Sequence, residues 1–265
     1  MALYVHETGT PAAPSIVFLH GIGTSSWMWA KQTTSLPDFH CLSVDLPGHG
    51  RSNHERWVSM ADTAQQIAAI IRVQATNAQA HVVGLSLGGH VALLLLEHHA
   101  DVLDRVVISG VTAAPMPNRW LLPVQLWLTS AQMQRRSFAE RQAQTMRIPP
   151  EMRAAFVENL AAMSMQAYRA IWREVVDYQV PASLQSVNVP TLITAGGRES
   201  SSITQAVQTI SNLMPNAQGG LAPRLGHGWN LEDADLFNAM IRAWITAAPL
   251  PSRLQTVNNG QNAGK

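Results

Sequence analysis

The chain has 265 residues, 46% of them hydrophobic and 13% charged, with a formal net charge of +1. A balance of 18 basic against 17 acidic side chains leaves no electrostatic footprint for nucleic acid or an anionic membrane. The single cysteine, Cys41, excludes a disulfide framework and any all-cysteine metal centre.

In chain order, short β-branched runs alternate with helical patterns. Leu3–His6 is an expected edge strand. Ser15–Leu19, Cys41–Val44, His81–Val83, Arg105–Ser109 and Thr191–Thr194 read as buried strands, each ending near a turn signal, and Ala217–Pro223 as a weaker last one. Ser59–Ala75 opens with Ser59 and Asp62 at capping-box spacing, with Ile67, Ala68 and Ile71 on one face. Gly89–His98 is apolar nearly all round, as a helix under a sheet is. Asn230–Ile245 is a helix with Asn230 as its expected cap. The alternation predicts an α/β fold with a mostly parallel sheet of about seven strands, covered on both faces. From Pro115 to Gln185 only helical periods occur, with Trp120, Trp127, Trp172 and six methionines. The expected organisation is a core of 1–114 and 186–250, a helical cap over 115–185, and a flexible tail over 251–265. The longest aliphatic run, Val91–Leu96, is six residues, against the roughly 18 that a membrane span needs. The start lacks a basic region followed by an apolar one, so no signal peptide is expected and the default compartment is the cytoplasm.

The strongest chemical signal is Gly84-Leu85-Ser86-Leu87-Gly88, between a strand and a buried helix. G-x-S-x-G in that setting is a nucleophile elbow: the tight turn lifts the serine hydroxyl clear of the backbone at the sheet's carboxyl edge. Ser86 needs a base. His227, flanked by Gly226 and Gly228 after the last strand, stands in the right order. Glu199 is the only carboxylate of the loop after the penultimate strand and is the expected orienting acid. Among the alternatives, Asp104 precedes a strand at the wrong edge, and Glu232 and Asp233 read as a helix cap. The oxyanion donors are expected from the backbone of Leu87 and of Ile22, in the loop His20-Gly21-Ile22-Gly23-Thr24. His20 is expected to brace that loop, and Asp45–Ser52 to act as scaffolding. No metal ligand cluster or dinucleotide fingerprint is present in the sequence, so no cofactor is expected.

HGIG at 20–23, DLPGHGRS at 45–52, GLSLGG at 84–89 and GHGWN at 226–230 together resemble the α/β-hydrolase superfamily, over about Leu3 to Ala247. Within it the chain is similar to small lidded serine esterases. The resemblance implies a Ser86–His227–Glu199 triad cleaving a small-molecule carboxylic ester. Lactone hydrolysis, C–C bond hydrolysis and perhydrolysis use the same constellation, and a non-catalytic ligand-binding protein can keep the fold. Trp27, Trp120 and Trp127 are the expected pocket walls. Monomer and dimer both remain open.

Overall fold

In a computed structural model, residues 2–117, 119–121, 124, 126, 132 and 135–257 are described. Their eight strands form one sheet in the order β1-β3-β2-β4-β5-β6-β7-β8. These are β1 Val5–Gly9, β2 Ser15–Leu19, β3 His40–Val44, β4 Ala80–Leu85, β5 Leu103–Ser109, β6 Thr191–Gly196, β7 Ala217–Ala222 and β8 Gln255–Val257. β3, β2, β4, β5, β6 and β7 are parallel neighbours, and β1 and β8 close the two edges antiparallel.

The central strands are apolar throughout because both of their faces are covered. In β2 every residue is buried, with Val17 and Leu19 entering one core and Ile16 and Phe18 the other. That is the two-residue period of a strand. Each such side chain contributes roughly 1.5–3 kcal/mol by leaving water. After α1 (Ala30–Ser35), helices α2 (Met60–Gln74) and α3 (Leu87–His98) cover the first face. Ser59 caps α2 by accepting from the Asp62 amide at 3.0 Å. On the second face Trp29, fully buried, meets Phe18 at 5.2 Å and Phe237 at 6.0 Å between ring centres.

Three expectations shift. The first strand runs over Val5–Gly9, because pairing with β3 continues to Gly9↔His40. There Gly9 sits at φ 81°, and a Cβ would lie 1.9 Å from the Phe39 carbonyl oxygen. The stretch expected as a flexible tail from 251 begins with structure: Leu254 is buried and β8 pairs with β7. Gly219 and Gly220 make room for it, since a Cβ on Gly220 would lie 2.7 Å from Leu254 Cδ2. The helix after His227 is broken in two, α8 (Trp229–Glu232) and α9 (Ala234–Ile245). Asp233, not Asn230, caps α9, accepting from the Leu236 amide at 3.1 Å. Asn230 is fully buried; its Nδ2 donates to the Met28 carbonyl and its own carbonyl accepts from Gln32 Nε2.

Helix α7 (Ser201–Leu213) joins β6 to β7, and the segment between β5 and β6 carries α4 (Arg136–Thr145), α5 (Arg153–Ala162) and α6 (Met165–Asp177). Its two ends are stitched together, Met116 N–H to the Val176 carbonyl at 2.8 Å and Val180 N–H to the Ala113 carbonyl at 3.0 Å. Glu174 on α6 ties it to the core by accepting from Trp57 Nε1 at 2.7 Å and the Met60 amide at 2.8 Å. Among the described residues no helix is long and apolar enough to cross a membrane.

Candidate active site

Ser86 lies between β4 and α3 with φ 57° and ψ −115°, a conformation that costs an L-residue energy. Its neighbours show why the motif needs glycine. A Cβ on Gly84 would lie 2.4 Å from the Gly88 carbonyl oxygen, and one on Gly88 would lie 2.0 Å from that of Leu19. The turn is held by Ser86 N–H donating to the Ser109 carbonyl at 2.8 Å and Gly88 N–H to the His20 carbonyl at 3.0 Å. Leu87 is the first residue of α3, where a helix leaves amides without an intrahelical acceptor. The loop carrying Ile22 lies alongside, with Gly21 placed so that a Cβ would be 3.4 Å from Ser86 Cβ.

His227 and Glu199 meet with Nδ1 and Oε2 2.5 Å apart, the imidazole 35% exposed and the carboxylate 2%. The other oxygen of Glu199 accepts from the Gly196 amide at 2.9 Å, so both ends of the acid are fixed. Gly110, at φ 69°, gives the ring its space: a Cβ there would lie 2.8 Å from His227 Cε1. Glu232, expected at a cap, braces this loop instead. It accepts from the Gly226 amide at 3.0 Å and from Arg198 Nη2 at 2.7 Å.

His20 braces its loop as expected. Its Nε2 accepts from the Leu46 amide at 3.0 Å, so Nδ1 carries the proton and donates to the Gly21 carbonyl at 2.8 Å. Asp45 accepts from the Ser26 and Arg51 amides at 2.7 and 2.8 Å, a scaffolding role. Burial pushes the imidazoles of His20 to about 4, of His49 to about 3 and of His90 to about 4, from an ordinary 6.5. This has a consequence for stability. Below 6.5 the unfolded chain binds three protons that the folded chain refuses until near pH 4 at His20 and His90 and near pH 3 at His49, so stability is full above 6.5 and falls as pH drops. At about 1.4 kcal/mol per proton per pH unit, the loss approaches about 4 kcal/mol per unit. Destabilisation is therefore expected to set in below about pH 6 and to deepen down to about pH 4, by an amount comparable to the roughly 5–15 kcal/mol total of a folded domain. Urea melts at several pH values check this; a midpoint concentration that stays constant from neutral pH down to about 5 contradicts it.

Ser86, His227 and Glu199 open together onto a cavity of about 370 Å³. Its apolar wall is Met116, Trp172, Val175 and Ile203, and its polar groups include His90, Thr112 and Arg198. Of the expected pocket residues, Trp27 lines a separate cleft of about 440 Å³ with Tyr4, Arg51 and Asn159. Trp120 is 74% exposed on the surface. Trp127 lies outside the described residues. Among the described residues Trp172, four residues from Tyr168 on α6, is the tryptophan that reaches the site. His90 is a site residue that sequence reasoning missed; its signal was the spacing of four from Ser86, one helical turn. A larger cavity of about 830 Å³ lies beside Arg105, Pro190 and Ala217, at the amino edge of the strands and away from Ser86. Open α/β sheets bind ligands at the carboxyl edge, where Ser86 stands. Among the described residues no three His, Cys, Asp or Glu side chains gather to hold a metal ion.

The alpha/beta hydrolase family profile matches residues 16–240. A Gibberella zeae protein described as an AB hydrolase superfamily protein is 24% identical over 264 residues, covering 95% of this chain and 87% of its own. A pimeloyl-[acyl-carrier protein] methyl ester esterase of Vibrio vulnificus is 36% identical over 108 residues, a match confined to 40% of each chain. The enol-lactonase of Burkholderia xenovorans superimposes with a TM-score of 0.78 at 22% identity, over 92% of this chain and 96% of that one. The profile match runs from the first central strand into the helix that follows His227, and with it the chain is placed in the alpha/beta hydrolase family.

Proposed function

We propose that the protein is a serine hydrolase that cleaves carboxylic esters. Ser86 Oγ attacks the ester carbonyl while His227 Nε2 takes its proton. Glu199 holds the imidazole with its Nδ1 proton inward and stabilises the imidazolium that forms. The backbone amides of Leu87 and Ile22 donate to the oxyanion, at the positive end of the α3 dipole. Collapse of the tetrahedral intermediate passes the proton to the leaving alcohol and leaves an acyl-serine. Water repeats the sequence, with His227 as base, and releases the acid. Every step uses the chain's own groups and water, with no cofactor.

One observation carries this reading: a positive-φ serine and a histidine braced by a buried carboxylate open onto one cavity. Helix α6 contributes Trp172 and Val175 to the wall, which favours the insertion over 115–185 as a cap and a substrate with a compact apolar group. The volume is near the lower end of the roughly 300–1,000 Å³ common for small-molecule sites, which favours short acyl chains.

A fluorophosphonate probe should label Ser86 alone, located by peptide mass. p-Nitrophenyl acetate and butyrate should be turned over, with EDTA without effect. An unlabelled serine, or activity lost to EDTA and restored by zinc, would contradict the mechanism. A panel of simple lactones run beside the esters reads out the internal-ester variant of the same chemistry.

A further inference from the structure

Helix α3 is apolar and buried on nearly every side, yet it carries a histidine in its first turns. His90 is 2% exposed and lies in the cavity wall. Burying an imidazole is costly unless its nitrogens are satisfied. Both are. Nδ1 sits 3.0 Å from the carbonyl oxygen of Ser86, and Nε2 faces the Thr112 hydroxyl at 3.3 Å and its amide at 3.4 Å. A carbonyl only accepts, so Nδ1 carries the proton and Nε2 receives from Thr112. The His90 amide also donates to the Ser86 carbonyl, at 3.0 Å. One residue therefore grips the nucleophile's carbonyl twice. The grip falls on the residue whose backbone is strained. Gly89 brings the helix close enough for the Thr112 contact: a Cβ there would lie 2.6 Å from Val111 Cγ1. Behind the ring, Tyr178 packs edge-on at 4.6 Å.

We propose that His90 is a positioning residue for Ser86: its imidazole holds the nucleophile's carbonyl, and with it the strained elbow, in the attacking geometry, and Thr112 fixes the ring. This rests on Ser86 being the nucleophile. Any buried imidazole ring needs partners for its nitrogens; what singles out His90 is that one of them is the carbonyl of Ser86 itself. The neutral state set by burial suits the arrangement, because a charged ring would have no acceptor for Thr112.

Two substitutions separate the nitrogens. In His90→Asn the side-chain amide N–H can take the place of Nδ1 toward Ser86. In His90→Gln the carbonyl can take the place of Nε2 toward Thr112, and the link to Ser86 is lost. His90→Leu keeps apolar bulk and loses both. One neutral hydrogen bond corresponds to roughly 3- to 10-fold in rate. With p-nitrophenyl acetate, kcat is therefore expected to fall least for Asn, under about 3-fold, and by about 10-fold for Gln and Leu, with KM nearly constant. The rate of fluorophosphonate labelling should follow the same order, whatever the order of melting temperatures. Wild-type protein that is neither labelled nor active defeats the nucleophile reading, and this inference with it. Wild-type protein that is active, with Leu equal to Asn or Gln better than Asn, defeats this inference alone. Thr112→Val tests the same link without altering the helix. It should lower kcat by roughly 3-fold, and an unaltered kcat overturns the inference should the His90 variants fail to fold.

Discussion

Ser86→Ala is expected to lower ester turnover by about 10⁶-fold, the scale seen when a triad nucleophile is removed from subtilisin. The geometry explains why so little should remain. Without Oγ there is no acyl-enzyme, and His227 has no hydroxyl to deprotonate. What survives is the oxyanion site and cavity acting on water. The fold should be retained, because Ser86 makes no side-chain capping bond to α3 and its strain belongs to the backbone. The alanine keeps the Cβ that fits against Gly21. The melting temperature should therefore stay close to wild type. The assay is single-turnover hydrolysis of a p-nitrophenyl ester, with labelling to exclude traces of wild-type enzyme. More than about one per cent of residual kcat, far above the scale of a lost nucleophile, would mean that the attacking atom lies elsewhere.

Where the chain's local chemistry is strong, its structure could be read directly. The runs SIVFL and AHVVGL are buried on both faces, and no helical period competes with them. The elbow was legible because its two glycines answer to backbone atoms less than 3 Å away, a requirement no other residue meets. Long-range contacts were not legible. β8 contains only three residues and depends on the glycines of β7 and on buried Leu254. In isolation that stretch reads as a polar tail. Asn230 and Asp233 are equally good caps by residue type. The buried partners Gln32 and Met28, some 200 positions away, decide between them. Pocket walls are set by how the insertion packs, so Trp27 and Trp172 could not be told apart by composition. Glu232 shows the same limit: its role depends on Gly226 and Arg198, brought beside it by the sheet.

Glu199→Gln is expected to lower kcat by about 10²–10³-fold, toward the upper end, somewhat less than the roughly 10⁴ of an acid-to-amide change in the chymotrypsin-type triad. The Glu199 side chain is 2% exposed and held at both oxygens, so the amide has no other place to go. One end must keep accepting from the Gly196 amide and therefore stays the carbonyl. The NH₂ is then left facing His227 Nδ1, donor against donor. The ring resolves the clash by moving its proton to Nε2, the nitrogen that must take the proton of Ser86. The substitution thus removes the imidazolium's counter-charge and selects the wrong tautomer together. Asp233→Asn is the control. Asparagine still caps α9 through its side-chain oxygen, and only the surface ion pair with Arg253 is lost, a change of at most about 1 kcal/mol. Its kcat should stay near wild type. The comparison belongs at a pH where His227 is neutral in every variant, so that the difference reports orientation rather than titration. Should Asp233→Asn be crippled and Glu199→Gln nearly normal, the acid would have to be sought on the helix pair that follows His227, and the short contact between Glu199 and the ring would be structural only.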